Sequence, residues 1–308
     1  MRLWTALLLS SAIALVVAAT SCNGATTDDG SSSGTPGDDD DNASSSGKTS
    51  SSGNSSSGQV NANVETKDET FVFNGNTRRY LLSKPTKFDA AKKYPLVLNL
   101  HGNPARPEDE LAALPFDSVT KQEAVIAYPA AANGSDWDFS LPSEGNPDMP
   151  FIKALVDHLA ETASVDPKRV LAYGYSGGAY FLSQFACRVE NVASIVKMIA
   201  IVSGGAPETR NGEDETQCAP CVGGAVPMFI AHGVNDQSEV PFEGGDYARQ
   251  CWSGTNGCGE NDLSDSTAPC KKYNGCKQQT SWCPIPNHGH EPWPEGMQLA
   301  WDMFKALP

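Results

Sequence analysis

Five short, nearly continuous apolar runs alternate with stretches of helical spacing, and this alternation confines the chain to few folds. The runs are Tyr94–Leu100, Ala124–Tyr128, Arg169–Tyr173, Met198–Val202 and Met228–Ala231. A run with no polar alternation is expected of a strand buried on both faces. Between them, Phe151, Ile152, Leu155, Val156 and Leu159 keep helical spacing over 151–163, and further helices are predicted near 178–188 and 295–305. Strands that each lead into a helix build a mostly parallel central sheet with helices on both faces, the α/β class. Function on such sheets sits at the C-terminal ends of the strands. Ahead of these runs, Phe71–Phe73 and Tyr80–Leu82 flank Asn74-Gly75-Asn76, a hairpin signal.

The N-terminus carries a different message. Arg2 precedes an apolar stretch from Leu3 to Ala19 that ends in small residues before Cys22, the layout of a secretory signal peptide. The small residues resemble a bacterial lipobox, so lipidation at Cys22 is expected, with unlipidated cleavage nearby as the alternative. The apolar stretch is shorter than the roughly 20 residues of a membrane span. Residues 23–60 are rich in Ser, Gly and Asp, including Asp38-Asp39-Asp40-Asp41, and have too few apolar residues to offset the entropy of ordering. The expected organisation is therefore a signal peptide of lipoprotein type over 1–22, a disordered linker over 23–60 and a catalytic domain over 61–308.

Gly174-Tyr175-Ser176-Gly177-Gly178 fits G-x-S-x-G. In a chain with 28 glycines the match alone carries little weight. Its place does: a predicted strand ends at Tyr173 and a helix starts within a few residues, so Ser176 sits on a strand-to-helix turn that lifts its hydroxyl above the sheet. A serine hydroxyl needs an adjacent base. Of the 5 histidines, His158 falls inside a helix, while His101 follows the run ending at Leu100 and His232 the run ending at Ala231. The order nucleophile, acid, histidine leaves His288 or His290 in Pro286-Asn287-His288-Gly289-His290, with His290 preferred. Asp236, five residues beyond the run ending at Ala231, is the expected acid, with Glu239 and Asp246 as weaker alternatives. Backbone N–H groups of Asn103 and Gly177 are expected to hold the oxyanion. His101 is then expected to pack and hydrogen-bond.

Together these stretches resemble the secreted esterase family of feruloyl esterases, acetylxylan esterases and poly(3-hydroxybutyrate) depolymerases. The likeness runs through Tyr94–Gly102, Phe151–Asp157, Val165–Val170, the turn at Ser176, Ala231–Asp236 and Gly289-His290 with Trp293-Pro294. The resemblance implies an α/β-hydrolase fold and carboxylic ester hydrolysis without metal or cofactor. The family's final motif places one residue between the histidine and Trp-Pro. Here Glu291 and Pro292 both intervene, which keeps His288 beside His290 as a candidate.

Besides Cys22, eight cysteines remain of 9, an even number that reads as four disulfides in an exported chain. Five crowd into Cys251–Cys283, a disulfide-rich insertion before the catalytic histidine. Its Trp252, Tyr273 and Trp282 are expected to offer flat apolar surface beside Ser176, as a substrate-facing lid or as packing within the insertion. Trp137, Trp252 and Trp293 are expected to bind substrate. Cys218-Ala-Pro-Cys221 has the spacing of a redox pair but lies in a loop, where bridging to other cysteines is the better reading.

A formal net charge of −15 argues against nucleic acid as partner, because phosphate contacts need clustered Lys and Arg. Membrane contact is expected only through the N-terminal lipid. The expected activity is a serine ester hydrolase on feruloyl or acetyl esters of polysaccharide, with polyester hydrolysis as an alternative. From other classes come a non-catalytic polysaccharide-binding protein and an envelope thiol oxidoreductase.

Overall fold

In the computed structural model the β-branched and aliphatic runs become strands whose alternate side chains feed two cores. The described residues are 59–60, 63–140, 145–207, 218–238, 240–259 and 262–308. They form one 11-stranded sheet of order β1-β2-β3-β5-β4-β6-β7-β8-β11-β10-β9. These strands are β1 (Gln59–Val60), β2 (Val64–Phe73), β3 (Asn76–Pro85), β4 (Tyr94–Leu100), β5 (Val125–Pro129), β6 (Val165–Tyr175), β7 (Met198–Val202), β8 (Met228–Gly233), β9 (Leu263–Asp265), β10 (Lys271–Tyr273) and β11 (Thr280–Ile285). The stretch β5-β4-β6-β7-β8-β11 is parallel throughout. Antiparallel hairpins extend both ends. Asn74 and Gly75, both at positive φ, close the β2–β3 hairpin, as Asn-Gly does in two-residue turns.

The helices are α1 (Pro107–Ala113), α2 (Asp117–Thr120), α3 (Met149–Thr162), α4 (Gly177–Arg188), α5 (Phe242–Thr255) and α6 (Pro294–Ala306). Leu96, Leu98 and Leu100 of β4 join Phe151 and Leu155 of α3, Phe181 and Phe185 of α4, and Trp252 of α5 in one core. Val97 of the same strand faces the other core, with Phe116 beside α2 and Trp301 and Phe304 of α6. Strand β4 is followed in the chain by β5 on one side of it and flanked by β6 on the other, so the chain reverses direction across the sheet there. Open α/β sheets carry their sites at such a reversal. The ends of β4 and β6 deliver Gly102-Asn103 and Ser176 to this point.

The expected signal segment and nearly all of the expected linker lie outside the described residues. The linker's last two residues do not: Gln59 and Val60 pair with Thr66 and Glu65 as a sheet edge. Their backbone groups therefore have ladder partners, which a solvated tether would not provide.

Four disulfides join Cys187 to Cys221, Cys218 to Cys251, Cys258 to Cys276 and Cys270 to Cys283. Cys218 and Cys221 do not pair with each other, so the redox reading of C-x-x-C fails. They tie one loop to α4 and to α5. Disulfides of this density belong to an oxidising compartment outside the cytosol. Among the described residues no helix is long and apolar enough to cross a membrane.

One buried ion pair shapes the approach to the site. Arg78 of β3 and Asp148, at the start of α3, meet at 2.6 Å, and both are buried. The Asp148 carboxylate also accepts the N–H groups of Ala132 and Asp138, at 2.9 and 3.0 Å. It thereby pins the loop that carries Trp137 and Phe139.

Candidate active site

Ser176 joins β6 to α4 with φ 52 and ψ −120, a left-handed conformation that side chains rarely adopt. The glycines around it allow the turn. A Cβ on Gly178 would lie 2.4 Å from the Leu100 carbonyl oxygen, and one on Gly174 would lie 2.6 Å from Gly178. Strand, turn and helix pack too closely here for any side chain.

His290, on the loop between β11 and α6, places Nε2 2.9 Å from Ser176 Oγ and Nδ1 2.7 Å from Asp236 Oδ2. The carboxylate can only accept, so Nδ1 carries the proton and Nε2 is left bare toward the serine. Asp236 is fully buried on the loop after β8. Burial alone would raise its pKa, but the hydrogen bonds from His290 and Ser238 outweigh burial and hold the carboxyl below its ordinary range. Ser238 adds a backbone N–H to Asp236 Oδ1 at 2.9 Å and sets its Oγ 3.0 Å from His290 Nδ1. The Tyr175 hydroxyl donates to the His290 carbonyl at 2.8 Å, fixing the histidine loop to the nucleophile's own strand. The structure therefore brings Ser176, Asp236 and His290 together, in that chain order.

His288 points elsewhere. Its Nε2 lies 2.9 Å from the Glu291 carbonyl, and its own carbonyl accepts the Asn235 N–H, tying the acid loop to the histidine loop. Asp246 pairs with Arg249 at 2.8 Å on α5, and Glu239 lies outside the described residues.

Asn103 and Gly177 lie side by side at the serine. A Cβ on Gly177 would fall 2.5 Å from the Asn103 side chain, and one on Gly102 3.3 Å from Ser176 Cβ. Gly177 opens α4, so its N–H has no acceptor within the helix. The loop after β4 is braced by the Trp137 N–H, which donates to Asn103 Oδ1 at 3.2 Å.

No known protein-family model matches the sequence. The chain is 25% identical over 251 residues to a probable feruloyl esterase C of Aspergillus clavatus, over 76% of this chain and 86% of that protein. It is 24% identical over 247 residues to feruloyl esterase C of Emericella nidulans, over 75% of this chain and 85% of that protein. An acetyl xylan esterase from Aspergillus awamori shares its fold at a TM-score of 0.62 and 14% identity, covering 78% of this chain and 99% of that one. The chain has the α/β-hydrolase fold.

Ser176 opens on a cleft of about 1270 Å³. Phe139, Tyr175, Tyr180 and Tyr247 give the cleft its aromatic surface, with Val240, Pro241 and Pro207 beside them. None of the three tryptophans expected to bind substrate lines it. Trp137 is 3% exposed, stacks at 4.8 Å on both His101 and Phe181, and donates to the His101 carbonyl at 2.8 Å. Trp252 is fully buried with its Nε1 3.0 Å from Ser183 Oγ. Trp293 packs on Phe229 at the start of α6. Each indole is drawn into the core, because burying its large apolar surface outweighs what exposure at a cleft would give. Tyr273 and Trp282 of the insertion are buried as well, so the cysteine-rich segment is an edge hairpin packed on β11 rather than a lid. Among the described residues no group of three or more His, Cys, Asp and Glu is placed to hold a metal ion.

Sequence reading missed Ser238, the cleft aromatics and Glu110. No local pattern marks them, since the cleft is assembled from helices and loops distant in the chain. Glu110 of α1 is 3% exposed at the cleft wall, and its buried Oε1 has no hydrogen-bond partner. Burial raises its pKa well above the ordinary value. The folded protein therefore keeps this proton while the unfolded chain releases it near pH 4.3. Stability must fall as pH rises above that value, by up to about 1.4 kcal/mol per pH unit, until the folded group ionises. Glu110→Gln is expected to remove this slope. Its gain in Tm over the parent should be larger at pH 8 than at pH 4, and a gain independent of pH would refute the assignment.

Proposed function

We propose that this protein, on its α/β-hydrolase fold, is a serine carboxylic ester hydrolase acting on feruloyl or acetyl esters of polysaccharide. The observation that carries the reading is the hydrogen-bonded line Ser176–His290–Asp236, at 2.9 and 2.7 Å, opening on an aromatic-walled cleft. Ser176 Oγ attacks the ester carbonyl carbon as His290 Nε2 takes its proton. The Asn103 and Gly177 N–H groups stabilise the oxyanion, and Asp236 stabilises the imidazolium. The tetrahedral intermediate collapses, the C–O bond to the alcohol breaks, and His290 returns the proton to the leaving oxygen. A water then attacks the acyl-enzyme through the same base, releasing the carboxylic acid and restoring Ser176.

The described residues lining the cleft include Asp109, Glu110 and Glu243 but no Lys or Arg. Asp109 and Glu243 suit neutral esters and repel substrates carrying negative charge close to the scissile bond, while buried Glu110 stays neutral. Feruloyl and acetyl esters on neutral sugars meet this condition, and the aromatic walls suit sugar and cinnamoyl rings. The test compares kcat/KM on methyl ferulate and acetylated xylan with release of hydroxybutyrate from polyester films. Ferulate or acetate release is expected to dominate. Faster release from polyester would assign the cleft to polymer chains of hydroxyacid instead.

The same proposal places the enzyme at the cell envelope, with a lipid on Cys22 and the Ser/Gly/Asp segment as a tether. Its support is the apolar leader and the small residues before Cys22. A mass spectrum of the mature N-terminus is expected to show a diacylated or triacylated Cys22. An unmodified N-terminus would leave export without the anchor.

A further inference from the structure

We propose that His232 is a positioning residue that shares the Asp236 carboxylate with His290 and ties it, through the Val240 carbonyl, to the wall of the substrate cleft. The inference rests on the reading of Asp236 as the acid of the hydrolytic site. His232 is the penultimate residue of β8, four residues before Asp236, and is fully buried. Its Nε2 lies 2.9 Å from the Val240 carbonyl oxygen and 3.1 Å from Asp236 Oδ2. Both oxygens can only accept, so Nε2 carries the hydrogen, donating to the Val240 carbonyl while it faces Asp236 Oδ2 at 3.1 Å.

The other ring nitrogen is closed off. Nδ1 is buried without a hydrogen-bond partner, and a Cβ on Gly245 of α5 would lie 2.2 Å from it. A hydrogen on Nδ1 would find no acceptor among the described residues, so the ring is neutral with its hydrogen on Nε2. Burial, ahead of the opposing pull of Asp236, lowers its pKa in keeping with this. Neutrality matters for His290. A cation at His232 would draw the Asp236 charge away from the imidazolium that forms at His290. A neutral donor orients the carboxylate without that competition.

The arrangement joins two functions. Asp236 Oδ2 faces His290 at 2.7 Å and His232 at 3.1 Å, while Oδ1 takes the Ser238 N–H. Val240, held by the same N–H of His232, lines the cleft and precedes Pro241, the cap of α5. The acid and the wall are thus held to one rigid ring anchored at the end of a central strand.

The test uses the whole folded enzyme and three variants. His232→Leu removes the donor, His232→Asn keeps a polar group too short to reach both oxygens, and His232→Gln restores an N–H near the Nε2 position. Leu and Asn are expected to lower kcat about 10–100-fold, the scale of an ångström's misplacement, with KM within about 2-fold. Gln is expected to recover most of the loss. Unchanged kcat in folded Leu and Asn variants, or a rise in KM alone, would overturn the proposal, as would a Gln variant no better than Leu. Nitrogen NMR of the unmodified enzyme tests the same idea without substitution: His232 should stay an Nε2–H tautomer from pH 5 to 9, and a protonated ring would overturn it. Asp236→Ala is measured alongside. If it keeps full activity, the reading of the site fails, whereas its inactivity beside fully active His232 variants defeats only the role of His232.

Discussion

Ser176→Ala and His290→Ala are each expected to lower kcat by roughly a hundred-thousand- to a million-fold, with Asp236→Ala costing less. The three side chains form one hydrogen-bonded line, at 2.9 and 2.7 Å. Once one is removed the others have no proton path to serve, so the double variant Ser176→Ala/His290→Ala should be no slower than the worse single one. What remains is supplied by the oxyanion donors and by binding. Ser176 and His290 are partly exposed at the cleft and lie outside the two cores, so Tm should change little. Initial rates on a soluble ester, with labelling by a fluorophosphonate probe, measure this. Stoichiometric labelling should vanish in Ser176→Ala. Near-normal turnover in His290→Ala, with loss in His288→Ala, would move the base to His288 against the geometry.

Loss of the disulfides is the second large effect. The bridges span 34, 33, 18 and 13 residues, and the chain-entropy relation gives each about 3–4 kcal/mol. A folded domain has only about 5–15 kcal/mol in total, so full reduction is expected to unfold the enzyme at 37 °C. Removing the Cys218–Cys251 bridge alone should lower Tm by roughly 5–15 °C, since about 1 kcal/mol corresponds to 2–4 °C at this size. It should also raise KM, because Cys251 lies on α5, the helix that presents Gly244 and Tyr247 to the cleft. Alkylation of the denatured, unreduced protein should label none of these eight cysteines. Labelling of a pair would show that its bridge is not formed in solution.

The polysaccharide-binding alternative loses ground on the same geometry. A surface that only holds sugar rings has no use for a strained serine at φ 52 with a histidine and a buried carboxylate aligned behind it. The thiol alternative has no dithiol to work with, since Cys218 and Cys221 bond to different partners.

The chain's local chemistry was enough to determine the central strands, the turn at Ser176 and the order of serine, acid and histidine. Each is written in a few consecutive residues. An apolar run such as Met198–Val202 has no polar face to show to water, and the glycines at 174 and 178 are required by backbone atoms within 2.6 Å. Tertiary structure alone decided between His288 and His290. The two are separated by one residue, and only the closure of the loop from β11 onto the end of β6 sets which ring meets Ser176. It also decided which aromatics face substrate. Trp137, Trp252 and Trp293 carry the largest apolar surfaces and were taken into the cores, while Phe139, Tyr180 and Tyr247, from three separate segments, were left to line the cleft. The sharing of Asp236 by two histidines lay equally out of reach. His232 and Asp236 are near neighbours in the chain, but His290 comes from a loop 54 residues beyond Asp236, and the Gly245 backbone that seals the second ring comes from α5. Burial and hydrogen bonding of this kind depend on what the fold brings to a point, and no local pattern of residue types carries that information.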